Sequence, residues 1–239
     1  MGSWNVPEPL SGELLKVLHE IKHVFQDFTL VGGTNLAYRF KHRVSFDIDF
    51  FISGPVPDEK LKDLYQYLVS KYGKDECDGL KLENYNKKHL NTFSYIPPDF
   101  HTNLRIDVVQ NLLFMKETTR IDGINFLSLE DIGLMKIDSI ASRGGNKDAY
   151  DLDFLTEKEG GGIDILDLWE LYKEKRALKE KLSIHNVFDK YRFKDPLRSP
   201  EALKNIKREY YILPCMWVDE DIALERWKLK VDKLLRLMK

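Results

Sequence analysis

Gly32-Gly33-Thr34-Asn35-Leu36-Ala37-Tyr38-Arg39-Phe40-Lys41-His42-Arg43-Val44-Ser45-Phe46-Asp47-Ile48-Asp49-Phe50-Phe51 is the stretch from which the rest of this 239-residue chain is read. Ahead of it, Phe28–Val31 is a short apolar run that ends on two glycines, the pattern of a strand entering a tight turn. Thr34–Phe40 then predicts one or two helical turns with Thr34 as the capping residue. Ser45–Phe51 alternates strictly. As a strand it puts Phe46, Ile48 and Phe50 on one face and Asp47 and Asp49 together on the other.

Two carboxylates that close repel, and one takes up a proton unless a cation sits between them. Mg²⁺ suits the position, because it binds through a few carboxylates and keeps places for water and phosphate oxygens. The glycine turn adds a helix N-terminus whose backbone N–H groups suit a phosphate. A third carboxylate is supplied by Leu104–Val109: Leu104, Ile106 and Val108 make the apolar face, so Asp107 points the other way. Alternating aspartates alone describe many solvated strands. The Gly-Gly-Thr turn before them and Asp107 after them favour a metal site for phosphoryl chemistry.

Outward from this stretch, Ser11–Asp27 carries Leu14, Leu18, Ile21 and Phe25 at helical spacing, and a second helix starts at Asp58. Residues 79–125 read as a run of strands: Leu80–Tyr85, His89–Ile96, Leu104–Val109 and Ile121–Phe126. After Ser128 the pattern turns helical, over Leu129–Ser142, Lys147–Glu157, Ile163–Lys181, Pro200–Tyr211 and Asp219–Met238. The expected fold class is α+β. A small mixed sheet with flanking helices (residues 1–126) is followed by an α-helical domain (residues 127–239) that completes the active-site groove.

The opening stretch resembles the GGTxLAxxxxHRxSxDIDFF signature of the AbiEii/AbiGii nucleotidyltransferase family. That family is a branch of the DNA-polymerase-β-like nucleotidyltransferases and includes toxins of type IV toxin–antitoxin systems. A second family motif, RxxxKDxxD, is matched by Arg143-Gly-Gly-Asn-Lys147-Asp148-Ala-Tyr-Asp151, with Lys136 on the preceding helix. The resemblance spans about residues 30–155. It implies Mg²⁺-dependent transfer of a nucleoside monophosphate from an NTP, with Mn²⁺ as a substitute ion. Asp47, Asp49 and Asp107 are the implied metal ligands, and with Lys136 and Asp148 they form the implied catalytic set. Gly32, Gly33, Thr34, Arg43, Ser45, Lys136, Arg143 and Asp151 are the expected nucleotide-binding residues. The resemblance also implies an RNA acceptor, with tRNA as one candidate, and a cognate antitoxin. A protein acceptor and a non-catalytic NTP-binding module are the competing readings.

Each cation also has a plainer reading. Arg43 clamps a triphosphate through its fork or pairs with a nearby carboxylate. Lys136 and Arg143 aim at phosphates or snorkel at the edge of a core. Lys147 is placed to pair with Asp151 four residues on, and Asp148 and Asp151 to position Lys136 or Arg143. His42 reads as a half-exposed loop histidine.

Composition sets the outer limits. Hydrophobic residues at 43% and charged residues at 32% exclude a disordered chain. Net charge is -2, but residues 1–160 carry 19 basic and 25 acidic side chains against 18 and 14 in residues 161–239. The basic C-terminal part, with Arg208, Lys228 and Lys230 on wet helical faces, is a candidate grip for an RNA acceptor. Cys77 and Cys215 are too few for a disulfide framework and read as structural. No signal pattern and no apolar run long enough to cross a bilayer is present, so a cytoplasmic location without membrane contact is expected.

Overall fold

The computed structural model describes residues 8, 10–72, 90–95, 104–184 and 195–238. Six strands form one mixed sheet in the order β3-β4-β2-β1-β6-β5. They are β1 (Thr29–Val31), β2 (Asp47–Phe51), β3 (Leu90–Tyr95), β4 (Leu104–Val109), β5 (Thr119–Ile121) and β6 (Ile124–Phe126). β1 runs antiparallel to β2 and parallel to β6, while β2 runs parallel to β4. The helices are α1 (Gly12–Ile21), α2 (Gly32–Phe40), α3 (Asp58–Tyr72), α4 (Leu129–Arg143), α5 (Asn146–Leu155), α6 (Ile165–Lys181) and α7 (Glu220–Leu237).

The period-two pattern decides which side of the sheet meets which helices. Leu30, Ile48, Phe50, Ile106 and Val108 face one way and join Leu14, Leu18, Ile21 and Phe25 in a buried cluster. Val31, Phe51 and Val109 face the other way and pack with Ile132 of α4 and Leu155 of α5. The helical region has its own cluster around Trp169, Tyr172 and Trp227, and Trp227 donates its indole N–H to the Leu203 carbonyl at 2.9 Å. Residues before and after position 126 thus share one apolar contact layer. The open side of the sheet, where Asp47, Asp49 and Asp107 emerge, is roofed by α4 and α5.

The junction between β1 and α2 has no loop. Val31 is still extended, and Gly32 at φ +69° turns the chain directly into the helix. That conformation is strained for a residue with a Cβ. The helix therefore begins at Gly32 rather than at Thr34, and Thr34 is not its cap.

Several boundaries differ from the sequence expectation. α1 stops at Ile21. Residues 22–28 turn back toward β1 through bonds such as Phe28 N–H to the Phe25 carbonyl (2.9 Å), while Phe25 still stacks on Phe50. Ile121–Phe126 is a hairpin rather than one strand, because Asp122 and Gly123 both take positive φ. Pro200–Tyr211 is not a helix. A short 3₁₀ turn covers Pro200–Lys204, and the chain then runs extended as a strap. The strap's backbone bonds go elsewhere: Lys207 N–H donates to the Gly144 carbonyl (2.8 Å), Val44 N–H to the Leu213 carbonyl (2.9 Å) and Cys215 N–H to the His42 carbonyl (3.1 Å). Phe46 precedes β2 and lines the cleft instead of joining the core face. The expected strand Leu80–Tyr85, residues His89 and Ile96, and Cys77 lie outside the described residues.

The basic C-terminal surface is also more occupied than its sequence implies. Lys230 bonds the Asp153 carboxylate (2.7 Å) and Thr156 Oγ1 (2.8 Å), and pairs with Glu157 (2.6 Å). It ties α7 to α5 and is not a free grip. Lys228 pairs with Glu225, and Arg208, which lies on the strap and on no helix, pairs with Asp221.

Candidate active site

The site is a cleft between the open face of the sheet and α4. Register sets its floor: Asp49 is the direct partner of Asp107 across the parallel β2–β4 pair, and Asp47 lies two residues back on the same face. Gly32 closes one side, for the Asp49 carboxylate occupies the space that a Cβ at Gly32 would need. Arg43, Ser45, Lys136, Ser139, Arg143, Lys147 and Asp148 complete the walls.

The α4 wall is built on a buried charge network. Asp148 accepts Lys136 Nζ on Oδ1 at 2.9 Å and Arg143 Nε on Oδ2 at 2.8 Å. Asp151, fully buried, accepts Arg43 Nε (2.6 Å) and Nη2 (2.8 Å), His42 Nε2 (2.8 Å) and Lys136 Nζ (2.6 Å). Burial alone would raise the Asp151 pKa, but Arg43 and Lys136 outweigh it and hold the carboxyl well below the usual range. Burial would lower Lys136, and Asp148 and Asp151 more than reverse that, so it stays a cation with its head at the cleft. Arg143 shifts up likewise: burial opposes, while Asp148 and the more distant Asp49 favour the charge.

Asp151 and Thr34 therefore stand behind the cleft wall and not on it. Thr34 is buried and spends its hydroxyl on Ser45 Oγ (2.8 Å) and on the Asp47 carbonyl, which fastens the start of α2 to the aspartate strand. Arg43 reaches the cleft, yet its fork is committed to Asp151 and its Nη1 donates to the Val44 carbonyl. Lys147 does not pair with Asp151. Its ammonium lies 4.8 Å from the centre of the Tyr210 ring and lines the cleft, where burial and Arg43 lower its pKa while Asp47 pulls it up. Ser139 is a cleft residue that motif reading overlooks; its one available signal is its place three residues after Lys136 on α4.

His42 is fully buried, not half-exposed, and stacks against Phe154 at 4.9 Å. Burial lowers its pKa to about 4 despite the Asp151 contact. A histidine held neutral in the fold and titrating near 6.5 when unfolded makes the unfolded state bind more protons between those values. Stability contributed by His42 is thus complete above about pH 6.5 and falls as pH drops toward 4, by about 3 kcal/mol. Urea midpoints measured across pH 4–7 should show this slope, and His42→Gln should flatten it.

The donor set suits a hard cation. All three candidates are carboxylates on one face, and Asp49 and Asp107 sit side by side. Among the described residues no three His, Cys, Asp or Glu side chains already converge on one point. Asp47 is exposed and Asp49 and Asp107 are half-buried.

Gly33 offers a separate check on the wall. A Cβ there would collide with the Arg43 guanidinium, which cannot swing aside without leaving Asp151. Gly33→Ala should cost about 1–3 kcal/mol by overpacking and reduce turnover with it. Thermal unfolding and activity measured together on the purified variant check both.

A mixed sheet carrying three aspartates on its open face, a glycine turn into a helix and a cationic helix across the groove suit chemistry on a phosphate. The model of the nucleotidyl transferase AbiEii toxin family, of type IV toxin–antitoxin systems, matches residues 16–236, and the chain belongs to that family. An uncharacterised protein of Aquifex aeolicus is 31% identical over 152 residues, covering 64% of this chain and 68% of that protein. JHP933 of Helicobacter pylori superposes with a TM-score of 0.52 at 16% identity, over 93% of this chain and 92% of its own. The nucleotidyltransferase toxin MenT4 of Mycobacterium tuberculosis superposes with a TM-score of 0.51 at 14% identity, over 90% and 81%. At these identities the structural likenesses speak for the fold. Among the described residues no helix is long and apolar enough to cross a membrane.

Proposed function

We propose that the protein transfers a nucleoside monophosphate from an NTP to an RNA acceptor, tRNA being the first candidate, in a reaction dependent on Mg²⁺ (or Mn²⁺). Its cellular role is that of a growth-arresting bacterial toxin with a cognate antitoxin. The observation that carries this reading is the opposition, across one cleft, of the Asp47–Asp49–Asp107 floor and the Lys136–Arg143–Lys147 wall.

Asp49 and Asp107, with Asp47 beside them, would hold the metal. The bound ion supplies charge neutralisation and a template for in-line displacement at the α-phosphorus. The N–H groups at the start of α2 and the dipole of that helix favour the negative triphosphate. Lys136, held by Asp148 and Asp151, presents a preorganised cation, so little reorganisation is needed as charge builds on the leaving pyrophosphate. Arg143 adds a second cation at the rim. Arg43, His42 and Asp151 act through Lys136 by fixing its position. No side chain needs to become a covalent intermediate, because positioning and charge stabilisation carry most of such a transfer.

The test is incubation of the protein with each labelled NTP, Mg²⁺ and total RNA or total protein. Labelled RNA supports the reading. Label confined to protein replaces the acceptor, and no label in either pool with any NTP refutes the transfer reading.

A further inference from the structure

The strap borders the cleft, and the transfer step described above uses none of its side chains. Tyr210 is fixed from behind: its backbone N–H donates to Asn146 Oδ1 at 3.2 Å, and its carbonyl accepts Asn146 Nδ2 at 2.6 Å. Asn146 is fully buried and gives its other amide N–H to Glu220 at 2.8 Å. The Tyr210 ring meets the Lys147 ammonium, yet the residue is 42% exposed, and Tyr211 beside it is 80% exposed. Neither ring joins the buried apolar clusters of the described residues. The rim also opens on a second side. Arg143 lines both the cleft and a depression of about 410 Å³ between the end of α4 and the strap at Asn205 and Lys207. The side chains of Arg143 and Lys207 are more than half exposed, and Lys207 meets Glu209 only at 3.8 Å.

Two exposed aromatic rings on a fixed backbone, flanked by cations, suit bases and the phosphates that link them. Every base has a π-face, so stacking on tyrosine tolerates any sequence, while the cations track the backbone. A duplex keeps its base faces inside its own stack and offers phosphates alone. An unpaired strand offers both. The depression is in the size range of small-ligand sites, which is room for a nucleotide. Arg143, Lys147 and Lys207 along one rim favour a polyanion over a neutral or basic peptide.

We propose that Tyr210 and Tyr211 are a stacking platform for an unpaired RNA strand, with Arg143 and Lys207 on its phosphates, so that the strap admits single-stranded and not paired ends to the cleft. This rests on the reading of RNA as the acceptor. The platform holds the strand by its bases while its terminal hydroxyl lies in the cleft. There the hydroxyl oxygen bonds the α-phosphorus as the bond from that phosphorus to the bridging oxygen breaks. Pyrophosphate leaves, and the hydroxyl proton passes to water. Both tyrosines are positioning residues for the acceptor, and Asn146 positions Tyr210. Because the rings read faces and not edges, the strap sets the form of the acceptor and not its sequence.

The experiment measures fluorescence anisotropy of a short labelled RNA of mixed sequence with the full chain, the RNA being either unpaired or annealed to its complement. The unpaired RNA is expected to bind at least about 10-fold tighter than the duplex. Tyr211→Ala should weaken it about 5–100-fold, the scale of one stacked base, while Tyr211→Phe keeps the ring face and stays near the parent. Tyr211 is so exposed that the Ala variant should melt with the parent; Tyr210→Ala is the second variant. In the transfer assay Tyr211→Ala should raise KM for RNA and leave KM for NTP alone. Equal binding of paired and unpaired RNA overturns the platform and leaves the RNA acceptor standing. So do two Ala variants that both bind like the parent, and so does RNA that is labelled yet not measurably bound. No binding of either RNA, with label on protein alone, overturns both readings.

Discussion

Asp151→Asn is expected to cost about 3–5 kcal/mol of stability, the range for removing one partner of a buried ion pair. The substitution keeps volume and shape and removes one charge. Arg43 and Lys136 are both buried, and Asp151 meets the guanidinium with both its oxygens and the ammonium with one. With an amide in place of the carboxylate, Asp148 alone would face Lys136, while also serving Arg143. For a chain of this size each kcal/mol is worth about 2–4 °C, so the unfolding midpoint should fall by about 10 °C. Asp47→Asn, on an exposed residue, should cost well below that and serves as the control. Thermal and urea unfolding at pH 7 decide the matter. A loss no larger than the control's would show that the network does not hold α5 to the His42–Arg43 segment.

That network also shows where sequence reading stops. The floor of the site is legible because a strand has a two-residue period: Asp47, Asp49 and Asp107 must emerge opposite Ile48, Ile106 and Val108 if those are buried, and they do. The glycine pair is legible because the chain must turn where a strand meets a helix. Arg43 and Asp151 are a different case. They are 108 positions apart, and nothing in local spacing says that Arg43 will turn inward to a helix instead of outward to a ligand. The same holds for Lys147, whose i,i+4 spacing to Asp151 predicts a pair, although three other cationic or polar groups already surround that carboxylate. Pro200–Tyr211 has the start signal of a helix, but backbone groups of Lys207 and Tyr210 find partners at Gly144 and Asn146 instead. The Asp122-Gly123 turn was open to reading, since Asp-Gly between apolar runs is a hairpin signal.

Asp49→Asn should leave the fold intact and lower turnover by about 10²–10³-fold or more, the scale of losing one preorganised electrostatic contact at a reacting phosphate. Its effect on metal-free stability should be small where that on activity is large. Asp49 lies directly beside Asp107 and under the cleft wall. Without a cation, removing one of two adjacent like charges relieves repulsion but also gives up the attraction to Arg143, so the metal-free melting point should change little. With Mg²⁺ and NTP, the parent gains stability by mass action, since only the folded chain carries the assembled site. The variant should lose that gain. Melting curves with and without Mg²⁺ and NTP, set beside the initial rate of transfer, read both quantities on one preparation. A purely structural Asp49 would give the reverse pattern: a lower melting point in the metal-free state, and turnover per folded molecule unchanged. An Asp49→Asn variant that retained both the Mg²⁺-dependent shift and full turnover would remove the aspartate floor from the chemistry.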